Sequence, residues 1–275
     1  MVILAAATWI ALAPPVVHTQ VKGSIEASLA TQVGNDAPAL GAQVARLLRF
    51  RGDINKNVHP GDLLSLMFEH APEPELLALA YHGSEITLFA YRFRGADGID
   101  RYYDDQGTLI EPRILHSPVL GYVQITELVQ KGRGKRKHNG LDFKAPVGTP
   151  VVMPFDGVVA RVNWSTRVNG KCVEVVYKNG HVGRFLHLDR VDKGVIAGAH
   201  LAAGAAVGAV GNSGRSLAPH LHYEIRSQPG DVLDPLKIHG TEKATVPAGD
   251  RAAFDAARAQ LRARLTPTPT ETSVR

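Results

Sequence analysis

The spacing of hydrophobic positions changes along the 275-residue chain. Leu40, Val44, Leu47 and Leu48 recur at the three- and four-residue spacing of one helical face. Asp36 stands at the N-cap position and Pro38 falls in the first turn. From His59, "HPGDLLSLMFE" reads as a turn entering a strand, "ELLALAYHG" and "EITLFAYRF" as strands, and "DRYYDDQG" as a strand running into a turn. Residues 21–118 are thus expected to form a small α+β domain, which carries no catalytic pattern. From about residue 120, short Val-rich runs alternate with Gly turns in "TPVVMPFDGVVARVNW", "CVEVVYKNGHVGRFLHL", "AAVGAVGNSG" and "HLHYEIR". This texture predicts a mainly β domain over 119–240, an antiparallel sheet or sandwich, with hairpins at "DGVV" and "KNGH". After about residue 248, "DRAAFDAARAQLRARL" is helical, with Asp250 near its start and arginines toward its end, in favour with the helix dipole. The tail "TPTPTETSVR" has nothing to bury and is expected to be disordered, which makes 241–275 a C-terminal helix and tail.

Composition agrees with a β-rich chain that has a real core: 44% of residues are hydrophobic, with 27 Gly and 17 Pro supplying turns. The formal charge is +5, and five of the seven residues in "KGRGKRK", 131–137, are basic. Such a run is either a solvated loop or an attractor of a polyanion, be it nucleic acid, a membrane surface or an anionic cell wall. The absence of an aromatic-rich basic sheet, a zinc finger or a helix-turn-helix pattern argues against nucleic acid. The single cysteine, Cys172, excludes an internal disulfide and a Cys-based zinc site, and its strand setting reads as a buried structural thiol. Any metal must therefore be held by His and carboxylate, and there are 12 His. The first 20 residues are apolar and uncharged, and the first 13 are long enough for a signal h-region but short of a bilayer span. They lack an initial Lys or Arg, and Pro14 directly follows "ALA". The expectation is a signal or truncated signal segment, the alternative an N-terminal strand or helix. No other stretch approaches a membrane span.

Candidate chemistry lies in the β-rich half. "KHNGLDFKAPVGTPV" places His138 and Asp142 four residues apart. "APHLHYEIR" places His220 and His222 two apart in a strand, hence on one face. With His138 and Asp142, His222 completes a two-His, one-carboxylate zinc triad that leaves a fourth position for water. His220 would then sit beside that water. In "GRFLHLDRV", Leu186 and Leu188 are expected to face a core, which puts the His187 imidazole on the opposite, more open face. There it is a candidate proton carrier or donor to an oxyanion. Each piece alone is more often an ordinary surface or core residue. Their combination within a Gly-rich β segment of under 100 residues favours a metal site. "GAVGNSGRS" reads as tight turns, since it lacks the strand and helix context of a phosphate loop.

Residues 137–235 resemble the catalytic domain of the lysostaphin/LytM-type zinc metallopeptidases, which cut peptide crosslinks in bacterial peptidoglycan. The resemblance runs in order through "HNGLDFKAPVGTPV", "DGVV", "FLHL", "GAVGNSGRS", "PHLHYEIR" and "DP". It implies a LytM-like, duplicated-hybrid-motif β fold with Zn2+ held by His138, Asp142 and His222, and with His187 and His220 catalytic. It also implies peptidoglycan stem peptides as substrate, a periplasmic or envelope location reached by export, and a monomer that a regulatory envelope protein can control. The alternative is a non-catalytic LytM-like wall-binding protein or an activator of a cell-wall amidase; the intact five-residue set argues against it. Upstream, "GSIEASLATQVG", "GDLLSLMFE" and "YRFRGADGIDRYYDDQGTLIEPRILHSPV" are similar to the domain preceding the catalytic domain in murein endopeptidases of Gram-negative bacteria. Two departures stand out: the basic run before His138, and Tyr177 where relatives often carry a His before the "NG" turn.

Overall fold

Leu40, Val44, Leu47 and Leu48 are all fully buried, on one face of α2 (Ala37–Arg49). The computed structural model describes residues 13–70, 73–130, 138–228 and 230–266. The basic run 131–137, the first twelve residues and the tail from 267 lie outside the described residues. The chain divides into two compact units, the first drawn from the described parts of Met1–Gly95, Tyr102–Ile110 and Val246–Arg275, the second from Ala96–Arg101 and Glu111–Thr245.

In the first unit, α1 (Ile25–Val33) and α2 are followed by the short α3 (Ile54–Asn57). An antiparallel sheet runs β1 (Val16–Gln20), β2 (Leu63–Glu69), β3 (Glu75–His82), β4 (Thr87–Arg94) and β5 (Asp100–Tyr103), in sequence order. Val16–Gln20, within the apolar N-terminal segment, is thus an edge strand paired with β2. Ser24 caps α1 by accepting from the Ala27 N–H at 3.0 Å. Asp36 does occupy the N-cap position of α2, but its carboxylate binds His70 Nδ1 at 2.6 Å instead of capping the helix.

Both faces of this sheet are covered. Leu29, Leu40, Val44 and Leu47 of α1 and α2 pack on Leu66, Phe68, Leu79 and Tyr81. On the other face, Phe254 and Leu265 of α6 (Arg251–Leu265) pack on Met67, Ala78, Tyr91 and Tyr103. The C-terminal helix therefore belongs to the first unit's core.

The second unit is mainly β. Its strands are β6 (Arg113–Ile114), β7 (Gln124–Glu127), β8 (Leu141–Lys144), β9 (Pro150–Val152), β10 (Gly157–Val162), β11 (Lys171–Tyr177), β12 (Val182–Val191), β13 (His200–Leu201), β14 (Ala206–Val210), β15 (His220–Arg226), β16 (Val232–Leu233) and β17 (Thr241–Glu242). Short helices α4 (Thr166–Asn169) and α5 (Pro235–His239) interrupt them. Among the described residues the main sheet runs β13-β10-β11-β12-β15-β8-β7, with β14 bridging β12 to β9 and β16 beside β15. "KNGH" closes the β11–β12 hairpin: Tyr177 N–H donates to His181 O, and Gly180 takes a φ of 83° in the turn. "DGVV" is not a hairpin. β9 before it pairs with β14, while β10 after it pairs with β11 and β13, so Asp156 and Gly157 form a corner between different neighbours. Asp156 is fixed there by accepting the Ala203 N–H at 2.8 Å. Cys172 is buried with its thiol free.

Candidate active site

Strand register builds the site. β15 runs antiparallel to β8, with His222 directly opposite Asp142 and His220 opposite Lys144. Directly opposed residues on neighbouring strands bring their side chains together on one face. His138 precedes β8 and is held by a bridge to Gln130, whose N–H donates to His138 O at 2.9 Å. Gly140 lets the backbone pass under β15: a Cβ there would collide with the Tyr223 carbonyl oxygen.

The three donor atoms converge. His138 Nε2 lies 3.1 Å from Asp142 Oδ1 and 3.1 Å from His222 Nδ1, and His222 Nδ1 lies 2.8 Å from Asp142 Oδ1. Donors on a tetrahedral ion with bonds of about 2.0–2.1 Å sit about 3.3 Å apart, so this spacing fits one zinc-sized ion. Hydrogen bonds fix which nitrogen of each ring is available. His138 Nδ1–H donates to Leu128 O at 3.1 Å, which points Nε2 into the cluster. His222 Nε2–H donates to Glu224 Oε1 at 3.2 Å, which points Nδ1 into the cluster, where in the metal-free protein its proton is given to Asp142 Oδ1 and a metal would take that proton's place. Burial works against the charge on Asp142, but hydrogen bonds from His138 and His222 outweigh it and hold the carboxyl well below its usual range. Burial likewise opposes a charge on His222, yet its bonds to Asp142 and Glu224 raise its pKa to about 9 in the metal-free protein. Two imidazoles and an ionised carboxylate, each offering a lone pair once the ring protons between them are displaced, are a donor set suited to zinc.

His187 and His220 stand beside this cluster. Their ring centroids are 4.9 Å apart, and His187 lies 6.1 Å from His222. His220 Nδ1–H donates to Ala218 O at 2.8 Å, and His220 Nε2 lies 3.7 Å from Asp142 Oδ1. His187 Nδ1–H donates to Ser213 O at 2.9 Å, which leaves Nε2 unprotonated. Burial depresses the His187 pKa, so the ring is neutral at neutral pH.

His187 is not on an open face as simple alternation predicts. It is buried like Leu186 and Leu188. β12 pairs with β15 up to Leu186, opposite His222, and with β14 from Leu188 onward. His187 sits where the strand changes partner, with a left-handed φ of 64°. That irregularity interrupts the alternation and turns the ring toward His220. Ser213, in the Gly-rich segment read as a turn, anchors it: its carbonyl receives His187, and its hydroxyl donates to Leu188 O at 2.6 Å.

The sequence reading passed over Glu224. Its place two residues after His222 on the same strand puts it on the same face, and that alternation was the available signal. Tyr177, one of the departures noted in the sequence, lies away from this cluster: its hydroxyl meets Tyr223 OH at 2.9 Å, and Tyr223 OH reaches His239 Nε2 at 3.1 Å.

Comparison with known proteins follows the same lines. Residues 136–235 match the family model of Peptidase family M23. The Peptidoglycan DD-endopeptidase ShyA of Vibrio cholerae serotype O1 is 29% identical over 234 residues, covering 80% of this chain and 52% of that protein. ShyC, a second Peptidoglycan DD-endopeptidase of that organism, is 34% identical over 135 residues, covering 47% of this chain and 30% of that protein. The chain therefore spans about half the length of ShyA and less of ShyC. Among solved structures, a zinc containing peptidase from Vibrio cholerae is similar with a TM-score of 0.39 and 24% identity, covering 85% of this chain and 71% of that one. No helix among the described residues is long and apolar enough to cross a membrane.

Proposed function

We propose that the protein is an exported zinc metalloendopeptidase of the bacterial envelope that hydrolyses peptide crosslinks of peptidoglycan. The observation that carries this reading is the convergence of His138 Nε2, Asp142 Oδ1 and His222 Nδ1, with two further histidines beside them. The M23 match and the relatives named as peptidoglycan DD-endopeptidases support the substrate class, and the D-Ala–diamino acid crosslink is the bond we assign.

When bound, zinc supplies a Lewis acid that acidifies water and polarises the scissile carbonyl. His220, aimed by its bond to Ala218 O, takes the proton of the attacking water on Nε2 and returns it to the amine nitrogen as the scissile C–N bond breaks. His187, neutral and held by Ser213 O, orients that water by accepting from it on its own Nε2.

The test is product analysis by mass spectrometry after incubating the full chain with purified sacculi, with zinc and with a chelator. The reading predicts crosslinked muropeptides falling and their monomers rising with zinc alone. A folded, zinc-loaded protein that leaves the crosslinks intact overturns it.

A further inference from the structure

A row of alternating charge crosses the sheet and ends at Glu224, the hydrogen-bond partner of the candidate metal ligand His222. Arg161 on β10 is directly opposite Glu174 on β11, Glu174 opposite Arg184 on β12, and Arg184 opposite Glu224 on β15. Arg161 grips Glu174 with two contacts of 2.9 Å, and Arg184 Nε reaches Glu174 Oε2 at 2.6 Å. Arg184 Nη1 lies 3.4 Å from Glu224 Oε2, and Arg226 Nε lies 2.7 Å from the same oxygen. Glu224 is 5% exposed, and its other oxygen, Oε1, accepts His222 Nε2–H. The two oxygens thus have separate tasks: two guanidiniums hold Oε2, and Oε1 holds the imidazole.

We infer that Glu224 is a positioning residue for His222. Its carboxylate fixes the ring in the tautomer that offers Nδ1 to the ion, and Arg184 and Arg226 hold the carboxylate in the plane needed to do so. A ring bonded at its far nitrogen cannot rotate or present that nitrogen instead, and it is a stronger donor through the near one. Arg161 and Glu174 keep Arg184 from turning away. The inference rests on the zinc reading above. It goes beyond that reading by assigning part of the metal affinity to a side chain that touches neither ion nor substrate.

Zinc affinity of the folded full-length protein, measured by competition with a chromogenic chelator, tests this without relying on hydrolysis. Glu224→Gln keeps the shape but must turn its amide donor toward either two guanidiniums or the His222 N–H. It is expected to weaken zinc binding about 10-fold, and Glu224→Ala by about 10- to 100-fold. Arg184→Met, one strand further from the site, is expected to cost a few-fold. Parent affinity in folded Glu224→Gln and Glu224→Ala, even with a lowered Tm, overturns the inference and reduces the row to a structural one. A parent protein that binds no zinc overturns the zinc reading itself, and the inference with it.

Discussion

The two units use their sheets in opposite ways. The first covers both faces with helices and buries almost nothing but hydrocarbon and aromatic rings: Leu29, Leu40, Leu47 and Phe68 on one side, Tyr91 and Phe254 on the other. The second unit's sheet buries His187, Glu174 and Glu224 and half-buries Asp142 and His222, all held by specific partners. Buried polar groups are costly unless paired, so their concentration in one unit marks where the chemistry lies. The difference also separates what a substitution does. In the first unit it is expected to change stability; around β15 the proposed function expects it to change metal binding and proton transfer.

The largest expected effect is that of Asp142→Ala. It removes one of three donors and the counter-charge of two imidazoles, and it is expected to abolish both zinc retention and crosslink cleavage, read by metal analysis and sacculus digestion. His220→Ala and His187→Ala come next. Each is expected to keep zinc while lowering turnover by about 10²–10⁴-fold, as for loss of a general acid or base. Parent turnover in either variant removes that residue from the mechanism. In the first unit, Leu47→Ala leaves a cavity in a fully buried cluster and is expected to cost about 2–5 kcal/mol in urea unfolding, with unchanged zinc stoichiometry in the folded protein. A change in zinc binding there would break the contrast between the units.

A pH effect of similar size is expected from His239. Burial lowers its pKa to about 4, against 6.5 unperturbed, while its Nδ1–H donates to the carbonyls of Leu115 and His116. The folded state keeps the ring neutral, so the unfolded state binds the proton first as pH falls. The His239 contribution to the second unit's stability should therefore be intact above about pH 6.5 and fall by about 3 kcal/mol by about pH 4, measured as the difference between the parent and His239→Gln in unfolding across that range. The smallest expected effect is loss of the α1 cap: Ser24→Ala is expected to cost about 1 kcal/mol.

Much of the architecture was legible in the sequence because local pattern and final burial agree. The α2 stripe follows its helical period, and the strands at 63–69, 75–82, 171–177 and 220–226 fall on the apolar runs that predict them, buried on both faces over part of their length. Pairing was less legible. "DGVV" has hairpin residues, yet the strands on either side find other partners, and only long-range contacts decide that. Of the site, the HxH face could be read directly, since alternation is preserved in β15. The setting of His187 could not, because a left-handed residue at a change of strand partner breaks the alternation used to place it. Glu224 was legible in principle, being two residues from His222, but an acidic residue in a strand does not announce its hydrogen-bond partner.

The most direct test of the central claim is anomalous diffraction at the zinc edge from crystals of the zinc-loaded protein. The account predicts one strong peak about 2 Å from each of His138 Nε2, Asp142 Oδ1 and His222 Nδ1. An empty cluster, or zinc held elsewhere by other side chains, would contradict it.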